Sequence, residues 1–155
     1  PETHRLISQF QEMGVNYHLC LTKITRSLRL SELKTWALLL ENLKISDDGT
    51  FAWTSLSYQD QQTPPIDIRL GVFANAIISR VQDTDFGAIL FEKEANITKG
   101  SIRARKPGVN VSQIAHELNG GGHLASASFT LGKNLEQTEN ELLRVISRLK
   151  AENKL

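Results

Sequence analysis

The stretch VNVSQIAHELNGGGHLASASFTL, Val109 to Leu131, changes periodicity halfway along. Val111, Ile114, Ala115 and Leu118 recur at helical spacing and leave His116 and Glu117 on the opposite side, so the first half reads as a short amphipathic helix. ASASFTL reads as a strand. Between them stand Gly120, Gly121 and Gly122, followed directly by His123. Gly120 falls where a helix ending near Asn119 calls for a residue of positive φ. One glycine suffices for that. The other two permit consecutive backbone N–H groups to point into one concavity, and they let a ligand approach the backbone with no Cβ in the way. The plainer alternative is a helix-to-strand loop with several unusual φ values.

Working outward, SIRAR places Arg103 and Arg105 on one face of a strand and Ile102 and Ala104 on the other. Two guanidiniums on one face, each able to fork onto a phosphate, make a small basic patch, against the alternative of an ordinary solvated sheet face. Together with the glycines they predict a phosphate-sized pocket with His123 at its mouth. Upstream, DFGAILFEKE and NITKGSIRAR form two adjacent strands turning at Glu94–Asn96, and LKISDDGTFAWTSL is a hairpin whose Asp47 and Asp48 are turn residues. Pro64 and Pro65 make YQDQQTPPID mostly loop. RLGVFANAIISRV resumes a helix through Leu70, Phe73, Ile77 and Val81, and the chain closes on a long helix that buries Leu135, Leu142, Val145, Ile146 and Leu149. The first third is helical: Leu6, Phe10 and Met13 mark one helix, a second runs from about Tyr17, and a third is capped by Ser31 ahead of ELKTWALLLENL. The expected fold class is α/β, a mixed sheet with flanking helices preceded by a helical arm.

At 155 residues the chain is one domain, or one domain with an appendage, and 40% hydrophobic with 23% charged residues is a globular composition. Eighteen basic against 17 acidic residues give a net charge of +1, which supplies no global attraction to nucleic acid or acidic lipid. Any anion site must be local. No apolar run approaches the ~20 residues of a membrane span and PETHRLISQF has no signal-peptide core, so a cytoplasmic location is expected. The lone Cys20 cannot form an internal disulfide, in keeping with a reducing compartment. There is no HExxH, no cysteine pair, no GxxxxGK and no GxSxG, and His4, His18, His116 and His123 share no metal-site spacing. The sequence offers a place to hold phosphate and no evident machinery to cleave it.

SIRAR with VNVSQIAHELNGGGHLASASF resembles the signature of the DHH-associated C-terminal domain of DHH phosphoesterases, which include oligoribonucleotide-degrading nanoRNases and single-strand DNA exonucleases. The family pattern is a strand with Ser-Leu-Arg-Ser, a helix, then Gly-Gly-Gly-His-x-x-Ala-Ala-Gly. It is matched at Ser101, Ile102 and Arg103, at Val111 to Leu118, and at Gly120 to Ala127. Ala104 stands in place of the second serine, and Ser126-Ala127-Ser128 in place of Ala-Ala-Gly. PETHRLISQFQEMGVN, LSELKTWALLLENLKISDDGTFAWTSL and FGAILFEKE are similar to the linker helices and early strands of nanoRNase-type members.

The resemblance implies the second half of a two-domain enzyme, a metal-dependent phosphoesterase that degrades short oligonucleotides or nucleoside bisphosphates, with residues 1–43 a helical linker and 44–155 the substrate-binding domain. A DHH catalytic domain would lie in cis and carry two manganese ions, leaving no metal or cofactor in this chain. Arg103 would grip a phosphate, with Arg105 beside it, the amides of Gly120, Gly121 and Gly122 would bind phosphate oxygens, and His123 would act catalytically on the scissile phosphate. The partners implied are short single-stranded RNA or DNA, or a nucleotide, with no membrane and with homodimerisation left open. The competing reading is a non-catalytic RNA-binding module of the kind attached to alanyl-tRNA synthetase, and a third is a purely structural or dimerisation domain.

Overall fold

The computed structural model describes residues 2–25, 29–61 and 70–155. Three helices come first: α1 (Glu2–Glu12), α2 (Tyr17–Thr25) and α3 (Leu30–Glu41). A hairpin of β1 (Lys44–Ile45) and β2 (Phe51–Leu56) follows, then α4 (Leu70–Ala76), β3 (Phe86–Glu94), β4 (Ile97–Ala104), α5 (Val111–Glu117), β5 (Gly121–His123), β6 (Ser126–Leu131) and α6 (Leu135–Ala151). The prolines at 64 and 65, and the loop expected around them, lie outside the described residues. The strands form one sheet in the order β1-β2-β3-β4-β6-β5, with β2 and β3 parallel and every other neighbour antiparallel. The mixed α/β architecture is the one that the periodicity predicts.

Alternation along the strands sorts side chains onto two faces. One face carries Phe51, Trp53, Phe86, Ala88, Leu90, Ile102, Ala127, Phe129 and Leu131, which pack with Ile114 and Leu118 of α5 and Leu142, Ile146 and Leu149 of α6 into the larger core. Asn110 and Asn134 start those two helices, their side-chain oxygens accepting from the amides of Ser112 and Gln137. On the other face α3 and α4 pack over β2 and β3, and α4 also reaches β4. There Leu56 and Ile89 pack with Leu39 of α3, Phe73 and Ala74 of α4 and Ile78, and Trp36 meets Phe73 edge to face. α3 is thus bound to the sheet: the Thr54 hydroxyl donates to the Leu39 carbonyl, and Asn42 Nδ2 donates to that of Ser55 at 3.2 Å. Its N-terminus differs from expectation. Arg29 occupies the cap position, and its amide donates to the Glu32 carboxylate at 2.8 Å, so Ser31 lies inside the helix. The apolar stripe of α1 is likewise uncovered, with Leu6, Phe10 and Met13 all exposed. Among the described residues no helix is long and apolar enough to cross a membrane.

Asp47 and Asp48 occupy the predicted turn, where Gly49 takes φ 72°. The Asp48 carboxylate accepts from Lys150 at 2.7 Å, the Ser46 hydroxyl at 2.6 Å and the Thr50 amide at 3.1 Å, tying the hairpin to the end of α6. Lys150 first, and then these hydrogen bonds, hold its carboxyl well below the usual carboxylate range. A group whose pKa is depressed by folding stabilises the native state above its unfolded pKa, and the contribution fades as pH falls through the folded value. Because Asp48 is exposed, screening limits the effect. Asp48→Asn is expected to cost no more than about 1 kcal/mol at pH 7, with the difference from wild type shrinking below about pH 4. Denaturant melts across that range measure it.

Candidate phosphate-binding cleft

The second face of the sheet is reached by α4 at β4, no described helix packs over it at β6 and β5, and the side chains there are polar. The pairing register lays them out in rows. Arg103 stands opposite Ser126, which stands opposite His123; Ser101 opposite Ser128, which stands opposite Gly121; Lys99 opposite Thr130. Neighbouring strands lie about 4.8 Å apart, so each row is a short traverse from a cation to the glycine strand. The reverse face of the same strands is the apolar core, and this alternation turns a strand that looks merely amphipathic into one wall of a site.

These residues enclose a cleft of about 230 Å³, lined by Lys99, Ser101 and Arg103 of β4, Gly121 and Gly122 of β5, Ser126 to Ser128 of β6, and Gly71 of α4. Arg103 is its best-defined member. Its Nε donates to Asn75 Oδ1 at 2.9 Å, and Nη1 donates to Ser101 Oγ at 3.0 Å and to the Ile102 carbonyl at 2.9 Å. A guanidinium has five N–H groups, and these bonds occupy three. The two on Nη2 have no partner among the described residues. Beside them Gly71 leaves room, since a methyl added there would sit 3.9 Å from Nη2. Partial burial pulls the Arg103 pKa below its ordinary value, yet the group stays charged throughout the accessible pH range.

The glycine triplet differs from its expected form. It is not a flexible loop with converging amides: Gly121 and Gly122 open a short edge strand that His123 completes. The positive φ that ends α5 belongs to Asn119, at 56°, and Gly120 is needed for a different reason. A methyl on Gly120 would overlap the Ser128 carbonyl oxygen and reach 2.6 Å from Phe129 Cβ. At Gly122, φ is 150° and an added methyl would lie 2.5 Å from Ala127 Cα. Only Gly121 has space around its Cα, its nearest neighbour being His116 Nε2 at 4.0 Å from an added methyl.

His123 is exposed at the end of this edge strand, in the row of Arg103 but outside the cleft lining. Arg105 is not part of the cleft. β4 ends at Ala104, and Arg105 Nη1 donates to the Thr84 carbonyl at 3.1 Å, away from the glycine strand. Sequence reasoning also passed over Lys99, Ser101, Ser126, Ser128, Gly71 and Asn75. The period-two alternation that exposed Arg103 extends to the first four, while Gly71 and Asn75 come from a helix whose docking no local pattern announces. Among the described residues no three His, Cys, Asp or Glu side chains group to hold a metal ion.

The fold and the cleft together define a class: an α/β domain whose mixed sheet carries its core on one face and a polar, cationic groove at β4, β6 and β5 on the other. Residues 67–152 match the model of the DHHA1 domain, and the chain belongs to that family, the DHH-associated C-terminal domains. Among solved structures, an exopolyphosphatase-related protein from Bacteroides fragilis superposes with a TM-score of 0.82 over 99% of this chain at 23% identity. A pGpG-specific phosphodiesterase from Vibrio cholerae gives 0.52 over 78% at 12% identity. The C-Ala domain of Aquifex aeolicus alanyl-tRNA synthetase gives 0.42 over 72% of this chain and 99% of its own, at 15% identity. The chain spans 45% and 39% of the first two proteins. No curated protein sequence matches it.

Proposed function

We propose that the cleft binds the phosphate of a nucleotide, or of the end of a short oligonucleotide, and presents it to a DHH phosphoesterase domain in cis. One observation carries the reading: a half-buried guanidinium is fixed by Asn75, Ser101 and the Ile102 carbonyl so that its two remaining N–H groups face a polar groove with no carboxylate partner among the described residues. A cation held in place before its ligand arrives loses little entropy on binding, and its charge-assisted hydrogen bonds are about twice as strong as neutral ones. The opposite face of the same strands is filled by the larger core, so the polar groove is the face of β4, β6 and β5 that can receive a ligand.

In this reading Arg103 anchors the phosphate, Gly121 lets it approach the backbone, and His123 at the rim donates a proton or hydrogen bond to the phosphoryl group presented for cleavage. Two manganese ions on the DHH domain would supply activated water. Bare of that domain, the chain binds without turnover. Titration of the 155-residue chain with a nucleoside 5′-monophosphate or a short oligonucleotide, followed by amide chemical shifts, is expected to move Gly121, Gly122, His123, Ser126 and the Arg103 Nε–H together. A saturating ligand that moves none of them, or moves only α5 and α6 on the opposite face, overturns the proposal.

A further inference from the structure

Every acceptor that holds Arg103 is uncharged: an amide oxygen, a hydroxyl and a main-chain carbonyl. A carboxylate beside the guanidinium would raise its pKa, whereas burial is the influence on it and lowers it. Two of the three acceptors, Ser101 and Ile102, belong to β4 itself and lie within two residues of Arg103. The third comes from another element. Asn75 reaches across from α4, which is seated by Phe73 and Ala74 in the smaller core, with Trp36 edge to face on Phe73 at 5.3 Å. Gly71, four residues earlier on the same helix face, lines the cleft. One face of α4 thus supplies both open space and an acceptor. The Asn75 side chain is exposed and makes no other hydrogen bond among the described residues, so neither the helix nor the core requires an amide there. Aspartate has the same shape and would bind the guanidinium more strongly, but it would cancel the charge.

We infer that Asn75 is a positioning residue that sets the charge selectivity of the cleft: its neutral carboxamide aims the Arg103 guanidinium from α4 and leaves the positive charge uncompensated, so that an anionic phosphate is taken in preference to an uncharged nucleoside. The inference rests on the reading of the cleft as a nucleotide-phosphate site. Two effects of Asn75 are separable. Its oxygen fixes the direction of the two free N–H groups on Nη2, and its lack of charge preserves the field that those groups present to the ligand.

Titration of the chain with a nucleoside 5′-monophosphate and with the parent nucleoside, beside thermal melts and the Arg103 Nε–H resonance, tests both. Wild type is expected to prefer the monophosphate. Asn75→Asp keeps the acceptor, so the Nε–H resonance persists and the melting temperature does not fall. Its monophosphate affinity nevertheless drops about tenfold or more, with nucleoside binding unchanged within about twofold. Asn75→Ala keeps the charge and loses the aim: the Nε–H resonance shifts or broadens, and monophosphate affinity falls about fivefold. Monophosphate binding by Asn75→Asp equal to wild type overturns the inference, as does an Asn75→Ala variant unchanged in both resonance and affinity. Equal losses for monophosphate and nucleoside together with a lowered melting temperature reduce Asn75 to a structural part and also overturn it. In each of these cases wild type still binds the monophosphate and the proposed function stands, whereas a wild type without preference for the monophosphate removes that function and the inference with it.

Discussion

Arg103→Ala is expected to weaken binding of a nucleotide phosphate about a hundredfold, the scale observed when one partner of a desolvated charge-assisted contact is truncated. The loss is large because the site has been built around this side chain. Asn75 Oδ1, Ser101 Oγ and the Ile102 carbonyl hold three of its N–H groups, so alanine removes the charge and also leaves three acceptors facing the groove. Ser101 and Ile102 are buried, so losing the bonds to their oxygens is expected to cost folding about 1–3 kcal/mol. Arg103→Lys keeps the charge but cannot reproduce the fork or hold Asn75 at the same time, and affinity is expected to fall about tenfold. Arg105→Ala is the control. Its guanidinium bonds the Thr84 carbonyl outside the cleft, so affinity should stay within about twofold of wild type. Titration calorimetry beside thermal melts separates these effects, and a loss for Arg105→Ala equal to that for Arg103→Ala would refute the site described.

The contrast between the two arginines also marks how far sequence reaches. Alternation predicts that residues two apart on a strand share a face, and for Lys99, Ser101 and Arg103 it is right. It fails at Arg105 because the rule holds only while the strand lasts. The backbone leaves the ladder after Ala104, where the amides of Arg105 and Lys106 both donate to the Asp85 carbonyl. Nothing in the local composition of ARKPG fixes that end to the residue. The element types along the chain were legible for a similar reason: the apolar faces of α5 and α6 repeat at helical spacing, and the Asp-Gly turn has its own chemistry. What stayed hidden was non-local. Strand order places β6 between β4 and β5, and that insertion alone brings His123 into the row of Arg103. Asn75 reaches Arg103 across 28 residues of sequence because α4 docks over β3 and β4. Three glycines in a row signal freedom and so predict a loop, whereas two of the three are required by lack of space.

That distinction gives the other large effect. Gly120→Ala is expected to destabilise the chain by about 3 kcal/mol, which for a domain of this size lowers the melting temperature by roughly 6–12 °C. The new methyl would overlap the Ser128 carbonyl oxygen and crowd Phe129 Cα at 2.7 Å, and both belong to β6, which is hydrogen-bonded on its two sides and cannot retreat. Phe129 is itself part of the larger core, so displacing it disturbs the packing of α5 and α6 as well. Gly121→Ala meets no such obstacle and is expected to change stability by less than about 1 kcal/mol. Its effect should fall on binding instead, because Gly121 lines the cleft and a methyl there stands between ligand and backbone. Thermal melts and ligand titrations of the two variants therefore separate along different axes. If Gly121→Ala proved as destabilising as Gly120→Ala, the edge strand would be as tightly enclosed as its neighbour, with no room for a phosphate to approach. If it left both stability and affinity untouched, the ligand would lie on Arg103 and the serines without touching β5, and the triplet would serve packing alone.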